Sequence, residues 1–158
     1  MTVLLPGSYD PCTRGHLAVI EKAAARYERV IVGIFINPDK QGLFTHGERL
    51  SFLSLATAHL SNVSVDFSDG FVADYAKEKG VSLIVKGIRN EKDRAYEEEM
   101  AAYNERRGGV KTLLWQADGA LCELSSTRVR KALEGGEDIE GLVPKAALDA
   151  ILSAYAKK

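Results

Sequence analysis

Strand-like runs recur along this chain with helical patterns between them, and the first two hold no polar residue at any position, not merely at alternate ones. Val3-Leu4-Leu5 is the first, cut off by Pro6-Gly7; Val30 to Ile36 is the second, ended by the turn pair Asn37-Pro38. Val63 and Val65 mark a short third, Val81 to Val85 a fourth, and Lys111 to Trp115 the last. A strand without a polar face must be covered on both sides. Between the runs, Leu17, Ile20, Ala24 and Tyr27 repeat at helical spacing. Thr45 and Glu48 form a capping-box pattern ahead of Leu50, Leu53 and Leu60. Phe71 to Lys79 reads as a helix closed by Gly80, and Glu91 to Arg106 as a polar helix. Two more helices follow, one from about Ser125 and one after Pro144. The alternation predicts an α/β fold: a doubly wound, Rossmann-like parallel sheet of about five strands with helices on both faces. No repeat or linker interrupts it, so residues 1–158 are expected to form one domain.

Charge and composition narrow the function classes. The net charge of −1 leaves no basic excess to neutralise a nucleic-acid backbone. No apolar run approaches the roughly 20 residues that span a bilayer, and the N-terminus lacks the pattern of a signal peptide. Cys12 and Cys122 have no metal-ligand spacing. A reduced, soluble, cytoplasmic protein acting on small molecules is the expectation, with neither nucleic acid nor membrane as partner.

Doubly wound sheets bind ligands beyond the carboxyl ends of their strands, and the polar motifs of this chain follow strands. Gly7-Ser8-Tyr9-Asp10-Pro11-Cys12-Thr13-Arg14-Gly15-His16 joins the first strand to the first helix. Gly7 permits a sharp turn, Ser8 offers a hydroxyl and an amide, and Gly15 and His16 open a helix whose free N–H groups favour an anion. The positive potential there disfavours the imidazolium, which makes His16 a neutral hydrogen-bond donor. A lone histidine in such a turn more often serves as a cap; the glycine-rich strand–helix setting tips the balance toward phosphate. Lys40 follows the second strand, and Lys86 and Arg89 the fourth, so three cations reach one sheet edge. Lysine is a mobile point charge and arginine a fork for two phosphate oxygens. Ser125-Ser126-Thr127 starts a helix with hydroxyls and amides that can surround phosphates or simply cap it.

Gly-Ser-Tyr-Asp-Pro…Thr-Arg-Gly-His resembles the signature of the bacterial phosphopantetheine adenylyltransferases, a version of the (H/T)xGH motif of the wider nucleotidyltransferase superfamily. Asn37-Pro38-x-Lys40, Lys86-Gly87-Ile88-Arg89, Leu124-Ser125-Ser126-Thr127 and Gly136 to Pro144 match further family elements, in order and over essentially the whole chain. The resemblance implies a catalytic set of His16, Lys40 and Arg89. It places Ser8, Tyr9, Gly15, His16, Gly87, Ile88, Arg89 and Glu97 on ATP, with Leu121, Cys122, Glu123, Leu124, Ser125, Ser126 and Thr127. It places Ser8, Lys40, Val72, Lys86 and Asn104 on the acceptor, 4′-phosphopantetheine. Lysine at position 86 departs from the family's arginine, and the 117–123 segment lacks its usual aromatic residue.

The reaction implied is attack by the phosphopantetheine phosphate on the α-phosphorus of ATP, giving dephospho-coenzyme A and pyrophosphate, with Mg2+ held through ATP phosphates and no protein metal site. A homohexamer is implied as well. Two other readings remain open on the residues alone: a different acceptor, such as nicotinate or nicotinamide mononucleotide (or glycerol phosphate with CTP), and a non-catalytic nucleotide-binding module of the same fold. Arg130 matches the form common in mononucleotide adenylyltransferases.

Overall fold

A computed structural model describes residues 1–119, 121 and 124–158 of the chain. In chain order the elements are β1 (Thr2–Gly7), α1 (Arg14–Arg26), β2 (Arg29–Phe35), α2 (His46–Thr57), β3 (Val63–Ser68), α3 (Val72–Glu78), β4 (Leu83–Ile88), α4 (Glu91–Gly108), β5 (Lys111–Gln116), α5 (Ser126–Glu134) and α6 (Leu148–Ala156). A 3-10 turn at Lys145–Ala147 leads into α6. The strands form one parallel sheet in the order β3-β2-β1-β4-β5, the doubly wound Rossmann-like arrangement. Val3 and Leu5 enter a core with Ile20 of α1, Phe52 of α2 and Ile151 of α6. Leu4 enters a second core on the opposite face with Tyr75 and Ala76 of α3. Coverage of both faces explains strands that are apolar throughout.

Local chemistry sets the element ends. Thr13 and Thr45 cap α1 and α2, each as half of a capping box, with His16 and Glu48 at the third helical positions. Asn62 closes α1 by donating to the carbonyls of Ala24 and Tyr27 at 2.8 and 2.9 Å. Strand β4 begins two residues later than the sequence pattern suggests and runs to Ile88, so Lys86 and Gly87 lie within it. Its expected first residue is spent elsewhere: the Val81 amide donates to Ala76 at 2.8 Å and closes α3, past a left-handed Gly80. At the other end Lys86, Gly87 and Ile88 pair with Leu114, Trp115 and Gln116 of β5.

The sheet opens where strand order reverses. β1 pairs with β2 over six residues but with β4 only at Val3 and Leu4. Beyond them the two strands part toward their carboxyl ends, leaving a crevice at the switch point. Helix α4 borders this crevice without filling it. Among its described residues only Asn104 is buried, and Glu97, Met100, Ala101 and Asn104, spaced as one helical face, line a cavity.

Candidate functional site

Two cavities adjoin at the crevice and share Pro6, Gly7, Ser8, Lys86 and Arg130 as walls. The larger, of about 580 Å³, runs between the sheet and α4 and includes Lys40, Val72, Glu97 and Asn104. The smaller, of about 280 Å³, includes Tyr9, Gly15, His16, Gly87, Arg89, Leu121 and the first turn of α5.

His16 is held from two sides. The Thr13 amide donates to His16 Nδ1 at 3.0 Å, while the Thr13 hydroxyl accepts from the His16 amide at 3.2 Å. An Nδ1 that accepts from a backbone N–H carries no proton, so the neutral ring keeps its proton on Nε2. The Tyr9 ring stands edge-on to the imidazole at 4.8 Å, and its hydroxyl donates to the Leu5 carbonyl at 2.9 Å. Tyr9 adopts a left-handed backbone, with φ of 47°. Burial first, then the positive charges of Lys86 and Arg89, push His16 down to about 4. The ring is therefore a neutral donor at physiological pH, aligned with the positive end of α1.

Lys86 and Arg89 act on this histidine, and Lys40 lines the adjoining cavity. Lys86 Nζ donates to the Pro6 carbonyl at 3.0 Å across the open β1–β4 gap and stands 3.6 Å from Glu97 Oε1. Arg89 Nε meets Asp93 Oδ2 at 3.1 Å, a half-exposed pair on the first turn of α4. Lys40 is exposed, in a turn where its amide donates to the Asn37 carbonyl at 3.0 Å. At the start of α5 the side chains already have partners within the fold. Ser125 accepts from the Arg128 amide at 3.1 Å, Ser126 donates to the Pro11 carbonyl at 2.7 Å, and Thr127 accepts from Arg130 at 3.0 Å. What this helix start offers an anion is chiefly its free backbone N–H groups.

The structure brings most of the sequence-derived site to this edge, in two groups. Ser8, Tyr9, Gly15, His16, Gly87, Arg89, Leu121, Leu124, Ser125, Ser126 and Thr127 surround the smaller cavity. Ser8, Lys40, Val72, Lys86 and Asn104 surround the larger. Glu97, assigned to ATP by the resemblance, stands in the larger cavity beside Lys86. Ile88 is fully buried in the sheet and lines neither cavity; its carbonyl accepts from the Ala117 amide at 2.8 Å. Cys122 and Glu123 lie outside the described residues. Buried Cys12 has its thiol pushed up to about 12 by burial, which leaves it inert as a nucleophile.

Sequence reasoning overlooked Arg49, whose side chain is buried in the wall of the larger cavity. A signal was present. Arg49, Phe52, Leu53 and Ala56 share one face of α2, so the arginine occupies a position in phase with the core. Met100 and Ala101 were likewise missed, because a helix face lining a cavity has the same period as one packed on a sheet.

Among the described residues no helix is long and apolar enough to cross a membrane. A family model described as cytidylyltransferase-like matches residues 4–132. The phosphopantetheine adenylyltransferase of Corynebacterium efficiens is 40% identical over 159 residues, covering 100% of both chains. That of Symbiobacterium thermophilum is 41% identical, over 96% of this chain and 94% of its own. The Corynebacterium glutamicum (strain R) protein of the same name is 38% identical, over 100% of this chain and 99% of its own. Similarity at this level from end to end means that the chain belongs to the cytidylyltransferase-like family and, within it, to the phosphopantetheine adenylyltransferases.

Proposed function

We propose that this protein transfers the adenylyl group of ATP to the phosphate of 4′-phosphopantetheine, forming dephospho-coenzyme A and pyrophosphate. One observation carries the assignment of the two substrates to the two cavities. The cavities meet at Ser8 and Lys86, with a neutral histidine on one side and the exposed Lys40 on the other. ATP phosphates fit the smaller, against the start of α5; the acceptor fits the larger, against α4.

A phosphate monoester is ionised at neutral pH, so the nucleophile needs no general base. Its oxygen forms a bond to the α-phosphorus as the bond to the bridging oxygen of pyrophosphate breaks. Catalysis on this reading is positioning and charge stabilisation. His16 donates through Nε2 to an α-phosphate oxygen. Lys40 and Lys86 hold the acceptor phosphate, and Arg89 with the α5 amides holds the leaving pyrophosphate. Acceptor binding at Lys86 competes with its contact to Glu97. The carboxylates lining the larger cavity, Asp10 and Glu97, each stand beside a cation, Arg49 and Lys86. Such a donor set fits Mg2+ carried by the oxygens of ATP, where it would neutralise phosphate charge. A homohexameric assembly and a cytoplasmic setting belong to the same reading.

Mass spectrometry of the product formed from Mg-ATP and an equimolar mixture of 4′-phosphopantetheine, nicotinate mononucleotide and nicotinamide mononucleotide tests the acceptor. Dephospho-coenzyme A as the dominant product is expected. A dinucleotide instead would move the acceptor assignment to the mononucleotides, the class whose motif Arg130 shares.

A further inference from the structure

Lys40 sits on a connection between β2 and α2 that has no helix or strand of its own. Its placement relative to Ser8 must come from tertiary contacts, and the structure contains a set that joins the two segments. Asp10 and Arg49 are charged residues buried to 5% and 6% exposure. Arg49 Nε lies 3.3 Å from Asp10 Oδ1 and donates to the Phe44 carbonyl at 2.9 Å, while Nη1 donates to the Ser8 carbonyl at 3.2 Å. The Asp10 carboxylate in turn accepts from the amides of Leu43 and Phe44 at 2.8 and 2.9 Å. One ion pair thus grips the turn after β1 and the chain just past Lys40.

Position 42 supplies an independent observation. A Cβ built on Gly42 would stand 1.7 Å from Arg49 Nη2 and 2.7 Å from Asp10 Oδ2. Glycine leaves the space that the guanidinium occupies, and any side chain there would displace it. Buried ion pairs contribute little net stability against apolar replacements; their best-attested use is to fix one geometry among several. Lysine cannot serve the same purpose. It lacks the planar fork that reaches the Ser8 and Phe44 carbonyls together.

We propose that Arg49, paired with Asp10 and admitted by Gly42, is a positioning residue that sets Lys40 against Ser8 and so governs binding of the acceptor phosphate. The inference rests on the function proposed above for its kinetic consequence, not for its structural one. Arg49→Lys and Gly42→Ala are the variants, both of which keep every charge. Each is expected to raise the KM for 4′-phosphopantetheine by about tenfold or more, with the KM for ATP within about twofold of wild type. If both act through one contact, the double variant is no worse than the more affected single one. Hydrogen exchange gives a readout that does not depend on activity: amides of Leu43 and Phe44 exchange faster in both variants, while those of β1 and β2 do not. Parallel rises in both KM values, or additive losses in the double variant, would overturn the positioning role. Unchanged exchange at Leu43 and Phe44 would overturn the strut whether or not the enzyme turns over phosphopantetheine. Failure of the wild-type protein to use that acceptor would reject the function alone.

Discussion

On the function proposed, His16 concentrates the chemistry of the site in one ring. Its tautomer is fixed by a backbone amide, its charge is suppressed by burial and by two cations, and its helix directs positive potential toward the same cavity. The suppressed charge has a consequence for stability. In the unfolded chain the imidazole titrates near 6.5 and in the folded protein near 4, so between these values the unfolded state binds more protons. Stability therefore falls as pH drops from about 6.5 to about 4, by roughly 3 kcal/mol in full. Chemical denaturation of wild type and His16→Gln across this range isolates the contribution. The wild-type curve is expected to fall more steeply than that of the variant; parallel curves would show that His16 is not held neutral by the fold. The histidine and its neighbouring glycine were legible in the sequence because helix starts and phosphates impose a local pattern. The Asp10–Arg49 pair was not, since its partners lie far apart along the chain.

At the scale of elements, the position of β4 decides where the cations stand. An apolar run beginning at Val81 suggested a strand ending before Lys86, but helix α3 takes the Val81 amide and β5 extends the ladder through Ile88. Lys86 consequently projects from a strand, not a loop, and reaches the Pro6 carbonyl across the gap. Gly87 beside it faces α1: a Cβ there would stand 2.9 Å from Val19 Cγ2. Gly87→Ala is expected to cost roughly 1–3 kcal/mol by overpacking this contact. Adding Val19→Ala should restore part of the loss, because the two substitutions share one contact. Simple addition of the two losses in denaturation experiments would show that α1 does not ride on β4 at this point. Strand existence and order could be argued from periodicity and alternation. Strand ends could not, because capping bonds and ladder bonds compete for the same amides.

At the scale of the molecule, function follows from how the sheet is connected. Reversal of strand order between β1 and β4 parts their ends, and the polar turns after β1, β2 and β4 deliver Ser8, Lys40 and Arg89 to that opening. The fold class and the common edge were legible because all-apolar strands and post-strand motifs point the same way. The division of that edge into two cavities was not, since it depends on which face of α4 turns to the crevice. Assignment of ATP to the smaller cavity, which His16 lines, and of the acceptor to the larger is the central claim. It is tested most directly by pyrophosphate release from Mg-ATP, with and without 4′-phosphopantetheine, by wild type and His16→Ala. Release that requires the acceptor and falls by about 10²–10³-fold in the variant, as loss of a preorganised donor entails, is the predicted result. Release that ignores the acceptor, or that survives undiminished without the imidazole, would contradict it.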